Sequence, residues 1–183
     1  LAMVRLNRLQ NHLDILVGNA ADGTTTTLYT EKNDRYITEV TDSYLTFLDN
    51  GTQFIINSEK DGYNHLYLFD MNGKQVKQIT KGSWDVTNFL GIDQKNGLVY
   101  YLAAAKSPMQ RELYVANLKS GESKMLSTNV GTNKAVFSTG FKYYINFFNS
   151  TTSPMLITLH QANGKQIRTL EDNAALAQKV TEY

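Results

Sequence analysis

The stretch His65-Leu66-Tyr67-Leu68-Phe69-Asp70-Met71-Asn72-Gly73-Lys74-Gln75-Val76-Lys77-Gln78-Ile79-Thr80 reads as one β-hairpin. Its first half is dense in aliphatic and aromatic side chains, which suit a buried strand. Asp70-Met71-Asn72-Gly73 has turn chemistry: an aspartate able to accept from nearby backbone N–H groups and a glycine free to take positive φ. The second half returns as a short, more polar strand. The same arrangement recurs. Glu112-Leu113-Tyr114-Val115-Ala116-Asn117 is followed by Gly121 and then Lys124-Met125-Leu126-Ser127. Met155-Leu156-Ile157-Thr158-Leu159 leads into Asn163-Gly164 and then Lys165 to Leu170. A weaker copy runs from His12-Leu13-Asp14-Ile15-Leu16-Val17 through Asp22-Gly23 to Thr27-Leu28-Tyr29-Thr30. The turn glycines Gly23, Gly73, Gly121 and Gly164 are 50, 48 and 43 residues apart. A period of about 40–50 residues with four strands per unit is the signature of a β-propeller, in which each twisted sheet covers its faces by stacking on neighbours.

The strand pattern around these hairpins fills out the units. Residues 2–8, 12–19 and 24–31 read as three strands. Residues 44–48, 52–58, 63–70 and 75–80 make a four-stranded blade; 86–92, 97–104, 112–117 and 123–127 make another; 134–138, 141–148, 155–160 and 165–170 make a third. The expected class is therefore all-β, a partial propeller of three four-stranded blades and three strands of a fourth (blades at about 2–31, 44–80, 86–127 and 134–170). A self-contained β-sandwich or barrel is the alternative, and the period argues against it. Helical patterning is confined to the C-terminal end, where Asp172 offers a cap before Ala174-Ala175-Leu176-Ala177-Gln178-Lys179-Val180.

Composition excludes several function classes. The 183 residues carry 18 Lys+Arg against 17 Asp+Glu, a net charge of +1, which does not suit a protein that neutralises nucleic-acid phosphates. Cysteine is absent, so the chain has no disulfide framework, thiol nucleophile or thiolate metal site. No apolar run approaches the roughly 20 residues of a spanning helix, and no signal-peptide pattern is visible, since Arg5 and Arg8 interrupt the first ten residues.

Chemical motifs are sparse. There is no Gly-x-Ser-x-Gly elbow, His-Glu-x-x-His pair or Gly-rich phosphate loop. The three histidines, His12, His65 and His160, fall within strands at nearly equivalent parts of the repeat and read as structural. No cofactor, metal or catalytic residue is expected within the chain. Asn50-Gly51-Thr52 and Asn149-Ser150-Thr151 match the glycosylation sequon at expected turns, a pattern common by chance. The tyrosines and phenylalanines alternate along strands and read as filling between blades. Trp84, between two blades, reads as an inter-blade wedge.

Several segments resemble the dipeptidyl peptidase IV family of the prolyl oligopeptidase type. Ile79-Thr80-Lys81-Gly82-Ser83-Trp84-Asp85-Val86 resembles its Ile-Thr-Lys-Gly-Thr/Ser-Trp-Glu-Val inter-blade motif. Ser58-Glu59-Lys60-Asp61-Gly62-Tyr63-Asn64-His65 resembles its acidic-Gly-Tyr-x-His hairpin, and Leu170-Glu171-Asp172-Asn173-Ala174-Ala175-Leu176 its Leu-Glu-Asp-Asn-Ser-Ala-Leu. Arg5-Leu6-Asn7-Arg8-Leu9-Gln10-Asn11 is similar to its Trp-Leu-Arg-Arg-Ile-Gln-Asn. The matches keep their order and span nearly the whole chain.

The resemblance implies the C-terminal half of an eight-bladed propeller. The parent would be a serine exopeptidase releasing Xaa-Pro or Xaa-Ala dipeptides from peptide N-termini, with the blades as scaffold and size gate. It places the amine-binding carboxylate pair in earlier blades and the Ser-Asp-His triad beyond Tyr183, leaving this chain inert by itself, with residues 172–183 leading toward an α/β-hydrolase domain. The family's Phe-Arg pair is missing from Asn33 to Asp42; Tyr36 and Glu39 are the candidates there for lining the substrate cavity, against a solvated link between blades. Absent cysteines point to a bacterial homologue in the periplasm or at the cell surface. Expected partners are that hydrolase domain, peptide substrates of the parent and further copies of the chain, with no nucleic acid and no membrane insertion in this segment. A non-enzymatic interaction propeller is the competing reading. A sugar- or lyase-type propeller would need a His and carboxylate cluster that three strand-borne histidines do not supply.

Overall fold

The structure, a computed structural model, describes residues 1–41 and 43–180; Asp42 and positions 181–183, the end of the expected helical segment, lie outside the described residues. The chain is a partial β-propeller whose blades fall into two compact units, Leu1–Ile79 and Thr80–Tyr183. In the first unit, β1 (Ala2–Leu6), β2 (His12–Gly18) and β3 (Thr25–Lys32) form a three-stranded blade. There β4 (Leu45–Phe47), β5 (Gln53–Ser58), β6 (His65–Asp70) and β7 (Gln75–Gln78) form a four-stranded one. In the second unit, β8 (Val86–Asp93), β9 (Leu98–Ala103), β10 (Glu112–Asn117) and β11 (Ser123–Met125) make the third blade. The fourth is β12 (Thr132–Phe137), β13 (Tyr143–Ser150), β14 (Ser153–Gln161) and β15 (Gln166–Glu171), followed by helix α1 (Ala174–Val180). Each sheet is an antiparallel meander in chain order. No helix among the described residues is long and apolar enough to cross a membrane.

The repeating glycine turns are as the sequence reads. Gly23, Gly73, Gly121 and Gly164 all have positive φ, between 73° and 97°. In the second blade the Asp70 carboxylate accepts from the N–H groups of Asn72 and Lys74 at 2.9 and 3.0 Å, closing the turn between β6 and β7.

Each unit is held by side chains packed between its two blades. In the first, Leu13, Ile15 and Leu28 meet Phe54, Ile56, Tyr67 and Phe69. Phe54 stacks on Phe69 at 5.5 Å, and Tyr29 meets Phe69 edge-on at 4.8 Å. Burying one such side chain contributes about 1.5–3 kcal/mol. A bulge sharpens this contact: Ile15 pairs with Tyr29 but Leu16 with Thr27, so Leu28 is the extra residue and both it and Tyr29 pack against the core. The Leu28 carbonyl is pressed against Gly73, where an added Cβ would lie 2.0 Å from the oxygen. In the second unit Tyr100, Leu102, Leu113 and Leu126 pack on Ala135 and Tyr144. Phe141 takes φ 52° and stacks on Tyr100 at 5.4 Å, in space left by Gly91. The third and fourth blades are also joined by backbone: Arg111 N–H donates to the Gly131 carbonyl, and Asn133 N–H to the Arg111 carbonyl.

Two local expectations need correction. Asn149 lies within β13 rather than in a turn, because that strand continues to Ser150. His12 and His65 open their strands, whereas His160 sits one residue from the end of β14, so the three are not equivalent positions. Trp84 stacks on Tyr101 and Tyr114 at 6.4 and 6.5 Å, on the face of the third blade opposite Tyr100. The C-terminal helix is as the sequence reads: it starts at Ala174, whose N–H donates to the Asp172 carboxylate at 3.0 Å, and none of its residues is buried.

The bulge contact sets a comparison of two glycines with similar dihedrals. Gly23 has φ +73° and nothing within 4 Å of an added Cβ, so Gly23→Ala costs about 1–2 kcal/mol for the left-handed backbone alone. Gly73→Ala, at φ +77° and against the Leu28 carbonyl, loses a further 1–3 kcal/mol or so in urea unfolding. Equal losses at the two positions would show that the bulge does not bear on residue 73.

Candidate functional site

The two residues singled out in the sequence, Tyr36 and Glu39, lie between β3 and β4. The backbone of this link is held from several sides. Asn33 Oδ1 accepts from the N–H groups of Arg35 and Tyr36 at 2.9 and 3.4 Å, and Ile37 N–H donates to the Gln10 carbonyl at 2.6 Å. Ile37 is buried in the first unit's core, and Thr38 donates to Glu59 Oε1 at 2.9 Å. With Ile37 turned inward, Tyr36 (49% exposed) and Glu39 are left on the surface.

A more elaborate polar group lies nearby and was not singled out in the sequence. Glu31, on β3, is 6% exposed, and among the described residues no cation is in hydrogen-bond contact with it. Its Oε2 accepts from the Tyr29 hydroxyl at 3.0 Å and the Ser58 hydroxyl at 2.8 Å. Neutral donors thus offset part of the cost of burying a carboxylate. The charge is felt by the surrounding phenols: burial first, then the Glu31 charge, pushes Tyr29 and Tyr44 well above the usual tyrosine range. The Tyr44 hydroxyl has no hydrogen-bond partner among the described residues. Lys60 closes one side. Its backbone N–H donates to Ser58 Oγ at 3.1 Å, and its ammonium hydrogen-bonds Gln75 and sits over the Tyr67 ring, 4.1 Å from the centroid. Burial lowers the Lys60 pKa, opposed by the charges of Asp61 and Glu31. The one available sequence signal is the spacing of Tyr29 and Glu31, which puts an acidic residue on a core-facing strand position.

On the first blade Asp14 gathers three partners. Arg5 Nη2 donates to it at 2.6 Å and Thr30 Oγ1 at 2.7 Å, while His12 Nε2 lies 3.2 Å away. These partners, Arg5 foremost, pull its pKa down to about 2 against the opposing effect of burial. In the second unit, Glu112 is 4% exposed and neither carboxylate oxygen has a hydrogen-bond partner among the described residues. The adjacent Arg111 does not serve it, because its guanidinium donates to the carbonyls of Pro108 and Gln110. Among the described residues no three His, Asp or Glu gather as a metal-binding group.

The dipeptidyl peptidase IV (DPP IV) N-terminal region family model matches residues 1–155. The chain belongs to that family. Its likeness to solved structures is as extensive: the crystal structure of Porphyromonas gingivalis dipeptidyl peptidase 4 matches 100% of the chain at a TM-score of 0.92 and 38% identity. Among curated relatives, the "Probable dipeptidyl peptidase 4" of Aspergillus flavus is 31% identical over 137 residues, 74% of the chain. That of Emericella nidulans is 29% identical and covers the whole chain. The chain spans only 18% and 25% of those two relatives, and 26% of the P. gingivalis protein. The dipeptidyl peptidase IV resemblance read from the inter-blade motif, the acidic hairpin and the C-terminal segment is therefore that of a true family member, and the part of the family covered is its N-terminal, all-β region.

The Asp14 cluster makes the first unit's acid stability testable. A carboxylate whose folded pKa lies near 2, below its unfolded value near 4, contributes stability that is fully present above about pH 4. That contribution is lost as pH falls toward about 2. Asp14→Asn is expected to lower stability at neutral pH and to flatten the acid arm between about pH 4 and 2. Because the Arg5 side chain is 66% exposed, the difference shrinks in high salt. An unchanged acid arm in denaturant titrations at stepped pH would remove Asp14 from the account.

Proposed function

We propose that this chain is the propeller portion of a longer, dipeptidyl peptidase IV-like serine exopeptidase that releases N-terminal Xaa-Pro and Xaa-Ala dipeptides. In this reading the blades are scaffold and size gate, and the chemistry belongs to an α/β-hydrolase domain of the same protein. The observation that carries it is the whole-chain match to a dipeptidyl peptidase 4 of which this chain covers only 26%. The absence of a Gly-x-Ser-x-Gly elbow from the 183 residues is consistent with that division of labour. A bacterial source, with a periplasmic or surface location, is part of the same proposal; it rests on the lack of cysteine and the bacterial P. gingivalis relative.

Tyr36 and Glu39 are proposed to line the substrate cavity, supported by their exposure on a link held at Ile37. Hydrolysis of Gly-Pro-p-nitroanilide tests both statements. The 183-residue chain is expected to be inactive and the full-length protein active. In the full-length protein, Tyr36→Ala and Glu39→Gln are expected to raise KM several-fold with kcat unchanged, the mark of lost binding common to ground and transition states. An inactive full-length protein would leave a non-catalytic propeller, and unchanged KM would return both residues to a solvated link.

The isolated chain is also proposed to associate with further copies of itself. Val136, Tyr143 and Met155 are 53%, 47% and 43% exposed, on the face of the fourth blade opposite Tyr144. All six residues of β15 are exposed on the same blade, and an uncovered strand is a template for pairing. Light scattering is expected to show a mass above 20.6 kDa that rises with concentration. A constant monomer mass would count against it.

A further inference from the structure

The chain has four Asn-Gly pairs, Asn50-Gly51, Asn72-Gly73, Asn96-Gly97 and Asn163-Gly164, each in a turn between consecutive strands of one blade. Asn-Gly is the pair most open to spontaneous deamidation, because the glycine nitrogen can approach the asparagine side chain with no Cβ in the way. All four asparagines are exposed, and all four glycines have positive φ, between 64° and 97°. By sequence, exposure and backbone they are alike. Their hydrogen bonds are not.

In three of the pairs the attacking nitrogen is occupied. Gly51 N–H donates to the Leu48 carbonyl at 3.0 Å, Gly73 N–H to the Asp70 carbonyl at 3.0 Å, and Gly164 N–H to the Gln161 carbonyl at 2.9 Å. Deamidation needs that nitrogen to give up its proton, and a carbonyl that holds the N–H opposes this. Other contacts add to the protection. Asn50 Oδ1 accepts from Thr52 N–H at 2.9 Å and Asn163 Oδ1 from Lys165 N–H at 3.0 Å, which fixes each amide, while Gly73 is pressed against the Leu28 carbonyl. Asn96-Gly97, between β8 and β9, differs. Among the described residues neither the Gly97 N–H nor Asn96 Oδ1 has a hydrogen-bond partner. Only the amide nitrogen of the Asn96 side chain is tied: Nδ2 donates to Asp93 Oδ2 at 2.6 Å.

We propose that Asn96 is a site of self-modification, converted to aspartate and isoaspartate with water as the only co-reactant. The Gly97 nitrogen bonds to Asn96 Cγ and yields its proton to solvent. The Cγ–Nδ2 bond breaks, and the nitrogen leaves as ammonia after taking up a proton from solvent. Water then opens the five-membered imide at either carbonyl. One opening gives aspartate; the other leaves the backbone running through the side chain as isoaspartate. The departing Nδ2 gathers positive charge, which the Asp93 carboxylate already in contact with it stabilises. The product sets a carboxylate against Asp93 where a donor had been, so a bond within the β8–β9 turn becomes a repulsion between like charges.

The test is peptide mapping by mass spectrometry of the full-length protein, aged at mildly alkaline pH both folded and in urea. In the folded protein the peptide holding Asn96 is expected to gain about 1 Da, and to do so about tenfold faster than the other three, the protection that one hydrogen bond supplies. In urea, where only local sequence acts, the four should convert at similar rates. Asp93→Asn should slow conversion at Asn96 several-fold and leave the other three unchanged; faster conversion there would overturn the part given to Asp93. Equal rates in the folded protein, or Asn50, Asn72 or Asn163 converting first, would overturn the proposal. So would a lead for Asn96 that persists in urea, or an Asn96 that converts only in urea. The wild-type comparison decides the matter even where Asp93→Asn does not fold.

Discussion

A short antiparallel sheet with apolar side chains on both faces is stable only when something covers those faces, and here blades cover one another in pairs. In the first unit the contact comes down to a single close approach, the bulged Leu28 carbonyl against Gly73. The extra residue in β3 turns both Leu28 and Tyr29 against the core, and the missing side chain at 73 lets the neighbouring turn come near enough for Phe54, Tyr67 and Phe69 to be sealed. In the second unit Gly91 plays the matching part, with Phe141 filling the space it leaves over Tyr100. In both, a glycine on one blade makes room for a protruding group on the other.

That packing also explains why the polar groups inside these units are of interest. An aromatic layer could close without Glu31, Asn133 or Asn146, and each costs free energy to bury. Glu31 recovers part of this through two hydroxyls, one from its own strand and one from the next blade. Asn133 and Asn146 do so through a relay that ends on an unfilled acceptor. Both lie in a chain that covers about a quarter of the dipeptidyl peptidase 4 it matches.

Most of the architecture was legible from the chain because its causes are local. A positive-φ glycine after an Asp or Asn, flanked by alternating β-formers, specifies a hairpin wherever it occurs. Repeating that hairpin at nearly constant spacing is enough to imply stacked blades. The strand ends moved by a residue or two, and Asn149 fell inside a strand, because the ends are set by pairing partners that periodicity does not name. Trp84 was legible as a packing residue but not as one lying on Tyr101 and Tyr114 of its own blade, since its position depends on which way those strands face.

The candidate sites divide the same way. Sequence alone determined the all-β class, the blade order, the turn positions, the lack of thiol chemistry and, through short motifs kept in order, the dipeptidyl peptidase IV family. Only the tertiary structure decided that Tyr36 and Glu39 stay outside while Ile37 anchors their link, that Glu31 is buried against Ser58, and that Asn133 and Asn146 are buried side by side. The reason lies in the range of the forces involved. Turns and strand alternation are specified within a few residues. Ser58 lies 27 residues from Glu31, and Arg111 lies 22 from Asn133, and such hydrogen bonds exist only once blades have stacked and brought distant residues together.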